Sequence, residues 1–179
     1  MESTLHLSSL RRFLDWFISL TSCDSILTEG RSGGQRGLGE CAPKITHADG
    51  RLVSRSAPAE PSETLIVYLT GLGFVVPIIP AGTASPSPPP QAFGAIISFS
   101  YGGAGGVTRS SGDAMIDFTG LTPGEVGLYQ INFRLPAFSD SLPACQEPFH
   151  PNVTIHIAAW ASWDDAGICA RSGSNKTTQ

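Results

Sequence analysis

The sequence predicts an all-β fold, an antiparallel β-sandwich, and three observations carry that expectation. Short segments alternate apolar and polar residues with the period of two that marks a half-buried strand. Glycine and proline are abundant, 20 and 14 of 179 residues, and only 15% of residues are charged, which suits many turns and argues against a helical bundle. Six or seven such strand signals, each followed by turn chemistry, fall within the length of one ordinary domain.

The clearest strand signal is in residues 120–136, GLTPGEVGLYQINFRLP. Tyr129, Ile131, Phe133 and Leu135 share one face, with Leu128, Gln130, Asn132 and Arg134 on the other. Thr122-Pro123-Gly124-Glu125 ahead of it is turn chemistry: proline presets φ and glycine accepts a positive φ. Pro136 removes a backbone donor and ends the strand. Glu125, Gly127 and Tyr129 stand at alternate positions, as in the tyrosine corner of immunoglobulin-like sandwiches, where the hydroxyl bonds back to the corner just before strand F. The expectation is therefore an immunoglobulin-like sandwich with this stretch as strand F. Ile131 takes the place of the inter-sheet cysteine.

The remaining elements follow in chain order. Residues 1–40 read as a separate extension, poorly ordered or a short helix. Phe13, Trp16, Phe17 and Leu20 share one helical face. Arg11 and Arg12 before this short apolar run, with Leu20-Thr21-Ser22-Cys23 after it, also give the order of a degenerate signal segment, with Cys23 as a candidate lipidation site. Residues 30–39 are glycine-rich but lack the pattern that cradles phosphate. The sandwich itself spans 41–170. Asp49-Gly50 marks a hairpin turn. ETLIVYLT, residues 63–70, is apolar on both faces, as in a central strand. FVVPIIP, residues 74–80, is held to an edge or a loop by its prolines, and ASPSPPP, residues 84–90, is a stiff loop of polyproline character. AIISFSY (95–101), AMIDFT (114–119) and VTIHIAA (153–159) are further strands, the last with His156 facing out. Gly167-Ile168-Cys169 is a short closing strand, and residues 171–179 form a disordered tail.

The four cysteines, Cys23, Cys41, Cys145 and Cys169, contain no CxxC pair and no histidine at zinc spacing, so no metal site is expected. Cys145 and Cys169 bracket the last strands, but spacing alone leaves the connectivity open.

Three runs together, residues 45–73, 120–136 and 151–170, resemble an uncharacterised C-terminal β-sandwich domain family of large secreted acidobacterial proteins of the Solibacter type. The resemblance covers residues 30–170. It implies an extracellular immunoglobulin-like module, a disulfide between Cys145 and Cys169, and no established activity. Glu125-Val126 departs from the family's usual Gly-Phe, and residues 1–30 match nothing in it.

Candidate chemistry is sparse. A net charge of −4 without a basic cluster disfavours nucleic acid. No apolar run is long enough to span a membrane. Asp164-Asp165 reads as a solvated turn with too few oxygens for calcium. No Gly-x-Ser-x-Gly elbow occurs, and His150 and His156 read as surface residues. Trp160 and Trp163, in a turn over 159–165, are the candidate binding residues, since aromatic faces stack on sugar rings. The expected function is a non-catalytic, secreted or cell-surface module for adhesion, spacing or anchoring, without cofactor. Its partners would be other extracellular domains or surface polysaccharide. The alternative is a carbohydrate-binding accessory module using Trp160 and Trp163.

Overall fold

A computed structural model of the chain describes residues 44–102, 108–138, 142–145, 151–159 and 162–173. The N-terminal extension with Cys23, together with His150 and Trp160, lies outside the described residues. Ten strands form, and no helix occurs among the described residues: β1 (Ile45–His47), β2 (Thr64–Leu69), β3 (Val75–Val76), β4 (Gln91–Ala92), β5 (Ala95–Gly102), β6 (Thr108–Ser111), β7 (Ile116–Leu121), β8 (Tyr129–Arg134), β9 (Val153–Ala159) and β10 (Ser162–Ile168).

They build two antiparallel sheets, six-stranded in the order β1-β2-β8-β7-β4-β3 and four-stranded in the order β10-β9-β5-β6. This is the strand order of an immunoglobulin-like sandwich: β1-β2-β8-β7 correspond to strands A-B-E-D, and β10-β9-β5-β6 to G-F-C-C′. The short strands β3 and β4 extend the first sheet beyond D.

Alternation explains the core. Leu65, Val67 and Leu69 of β2 and Ile131 and Phe133 of β8 point inward from one sheet; Ile97 and Phe99 of β5 and Val153, Ile155 and Ile157 of β9 point inward from the other. Phe99 and Phe133 meet across the interface with ring centroids 6.0 Å apart, and Phe138 packs edge-on against Phe99 at 6.4 Å and Tyr101 at 4.8 Å.

The β1 hairpin turns at Gly50, which holds φ +84°, as Asp49-Gly50 requires. Gly120 is needed for a different reason: a Cβ there would fall on the Pro90 carbonyl oxygen and the Phe118 ring, so glycine lets the β4 segment approach β7.

Several expectations are corrected. The stretch ending in β8 is not strand F; it occupies the E position between β2 and β7, and β9 is strand F. Residues 162–165 are not a turn but the first half of β10, because Ser162 already pairs with Ala159 and the ladder continues to Ile168 opposite Val153. The closing strand is thus longer than Gly167-Ile168-Cys169. The first residues of the expected tail are held in place: the Arg171 amide donates to the Ala59 carbonyl at 2.8 Å, and the Ser172 hydroxyl accepts from Leu142 N–H at 2.7 Å.

The C-terminal end is tied by two devices. Cys145 and Cys169 are disulfide-bonded, with Cα atoms 5.6 Å apart. Buried Asn152 donates to the carbonyls of Pro143 (3.0 Å) and Ala170 (2.8 Å) and accepts from Ala170 N–H at 2.8 Å. That satisfies backbone groups which burial would otherwise leave without partners.

Candidate functional site

The inward faces are committed to packing, so chemistry must come from the outward faces. On the four-stranded sheet the register is explicit. Ser98 of β5 lies opposite His156 of β9, which lies opposite Asp165 of β10. One row along, Ser110 of β6, Ser100 of β5, Thr154 of β9 and Gly167 of β10 form the next line. These residues are outward because their strand neighbours Ile97, Phe99, Ile155, Ile157 and Ala166 are buried.

Within this face the His156 ring connects three strands. Its Nδ1 lies 2.6 Å from Asp165 Oδ1, and its Nε2 lies 2.8 Å from Ser100 Oγ. The Asp165 contact is a direct cross-strand pair, and the Ser100 contact is the diagonal neighbour two residues along. A carboxylate only accepts, so Nδ1 carries a proton. In the neutral ring Nε2 then accepts from the Ser100 hydroxyl. The His156 side chain is 22% exposed and that of Asp165 50%, so solvent reaches the line.

The sequence-predicted residues fall unevenly around it. Trp163 is opposite Ala158 on β10, two residues from Asp165, and Trp160 lies outside the described residues. His156 and Asp165 enter the site, although the sequence suggested only a surface histidine and an acidic turn. Ser100 carried no sequence signal at all: it is one serine of AIISFSY, and only the register of β5 on β9 brings it to His156.

The expected tyrosine corner is also corrected. The Tyr129 hydroxyl donates to the Gly73 carbonyl oxygen, 56 residues earlier in the loop after β2, and not to the turn just before it. The reason is topological: β8 pairs with β2, so its first residue meets the end of that strand. Burial raises the Tyr129 phenol above its ordinary 10.0. Glu125 and Gly127 serve the β7–β8 hairpin: the Glu125 amide donates to Thr122 O at 3.2 Å, and Gly127 takes φ +69°.

A second histidine is structural. His47 is buried on β1, with Nδ1 2.6 Å from Glu63 Oε1 and Nε2 3.1 Å from the Ala57 carbonyl. Both partners can be acceptors, so the doubly protonated ring fits both bonds. The other Glu63 oxygen accepts from Glu60 N–H at 2.8 Å, which completes a clamp between β1, the following loop and the start of β2.

The fold and this face define a class: an all-β, immunoglobulin-like sandwich whose four-stranded sheet presents a polar hydrogen-bonded face to solvent. Comparison with protein-family models, with curated proteins and with solved structures found no match.

Proposed function

We propose that the chain is a secreted or cell-surface β-sandwich module that works in adhesion, spacing or anchoring, of the kind appended to large secreted acidobacterial proteins. The observation that carries this reading is the disulfide between Cys145 and Cys169, since such bonds persist in oxidising compartments. Non-reducing peptide mapping of protein taken from its native host tests it. The expected result is one linked peptide pair holding Cys145 and Cys169 in an extracytoplasmic fraction. Two free thiols in a cytosolic fraction would overturn the reading.

A second reading, recognition of polysaccharide, is favoured by one specific feature. The register sets Trp163 opposite Ala158, one row from the His156–Asp165 pair, so an aromatic residue and hydrogen-bonding groups share one end of the β9–β10 hairpin. Sugars are bound by that combination of stacking and directed polar contacts. Pull-down on a polysaccharide panel is expected to retain the wild type and to lose Trp163→Ala and Trp160→Ala. Retention indifferent to both substitutions would remove the sugar reading.

A further inference from the structure

Ser100, His156 and Asp165 form one hydrogen-bonded line across β5, β9 and β10 on a solvent-reached face. We propose that Ser100 is a nucleophile toward short-chain carboxylic esters, with His156 as its general base and Asp165 as the positioning residue that fixes the ring. This inference stands apart from the adhesion reading, which requires no chemistry. It also needs no nucleophile elbow, because here the serine is presented by a strand and the base by its neighbour.

The geometry meets the requirements of an activated serine. The hydroxyl and its base are 2.8 Å apart, and the base is held by a carboxylate at 2.6 Å through the other ring nitrogen. The roles are assigned by these contacts and not by chain order. In the first half-reaction Ser100 Oγ bonds to the acyl carbon while its proton passes to His156 Nε2. Collapse of the tetrahedral adduct breaks the bond to the leaving alcohol, which takes that proton. In the second half-reaction water gives a proton to Nε2 and bonds to the acyl carbon. The Ser100 ester bond then breaks, and Oγ recovers the proton. One ester and one water become one acid and one alcohol, with no further reactant.

Negative charge on the former carbonyl oxygen needs donors. Thr154 and Ser110 are the direct cross-strand neighbours of Ser100 on either side. Side chains so paired have Cβ atoms about 5 Å apart, which brings both hydroxyls within reach of an oxyanion above Ser100. The substrate class follows from the shape of the face. An open sheet contacts an acyl group from one side only, and the apolar residues of this face, Ile96 and Ala158, stand two rows from Ser100, beyond the Ser98–His156 row. An acetyl-sized group projecting from a larger molecule is the ester such a surface can reach.

Hydrolysis of p-nitrophenyl acetate by the full chain tests the proposal. Ser100→Ala and His156→Gln are each expected to lower kcat/KM by about 100-fold, the scale of general-base assistance. Asp165→Asn is expected to lower kcat at least about tenfold with KM unchanged, which a purely structural role would not produce. Ser98→Ala, on the same face but outside the line, keeps the wild-type rate. Ser100→Cys keeps a nucleophile and should gain one acetyl group by intact mass. Wild-type activity surviving in Ser100→Ala would overturn the proposal, because bare imidazole catalysis by His156 would then explain it. So would a Ser100→Cys protein that stays unacetylated.

Discussion

The two sheets share one core and differ on their outer faces. On the six-stranded sheet the outward groups are partly buried Ile66, Tyr68, Gln130 and Asn132, with the Gln130 amide donating to Asn132 at 3.0 Å. Beyond them, the β3–β4 extension leaves Phe74, Val76, Ile78 and Phe93 exposed. On the four-stranded sheet the outward rows run from Ile96 and Ala158, through Ser98, His156 and Asp165, to Ser110, Ser100 and Thr154, so hydroxyls, one imidazole and one carboxylate fill all but the first row. The inner faces of both sheets are built from the same few residue types and are set by packing. The outer faces are not constrained by packing in this way, so their difference is where function is to be sought. Among the described residues, only the four-stranded sheet lines up a hydroxyl, an imidazole and a carboxylate in hydrogen-bonding contact on its outer face.

Substitutions should separate the two kinds of face, and the largest effect belongs inside. Phe133→Ala removes a fully buried ring that meets Phe99 across the sandwich, and should destabilise the fold by about 3–5 kcal/mol in chemical denaturation. A cost below about 1 kcal/mol would mean the sheets do not meet there.

An intermediate effect belongs to the link between strands. Tyr129→Phe removes the bond to Gly73 and should cost about 1 kcal/mol. The pH dependence has a defined sign. The folded phenol titrates above 10.0, so its contribution is fully present below that pH and is lost as pH rises through the folded value. The wild type should therefore lose stability more steeply than Tyr129→Phe in alkaline titrations. Parallel curves above pH 10 would show that folding does not raise this phenol.

The smallest stability effect belongs to the outer polar face. Asp165 is half-exposed, so Asp165→Asn should change unfolding free energy by less than about 1 kcal/mol. If it cost as much as a core truncation, the line would be a structural element and not a site.

The sequence made the inner faces legible because period two is written locally. VTIHIAA marks the whole of β9, and the clear alternation from Tyr129 gives β8. It did not show β6, whose TRSS carries no apolar residue, or the first half of β10, whose Asp164-Asp165 has turn-like composition. Those segments become strands because β5 and β9 offer partners. The spacing around Tyr129 pointed to a hydroxyl bond within the adjacent corner, but the partner, Gly73, was set by β8 pairing with β2. The line through His156 was invisible for the same reason. Ser100 and Asp165 lie 56 and 9 residues from it, and only strand register brings the three together.

On the proposed mechanism this register makes one serine chemically distinct from its neighbours. Ser98 and Ser100 occupy the same face of the same strand, and Ser100 bonds to His156 Nε2. Treatment of the full chain with a fluorophosphonate, followed by peptide mapping, compares them directly. A single adduct on Ser100, with Ser98 unmodified, is expected. Equal modification of the two serines, or no adduct on either, would contradict the mechanism.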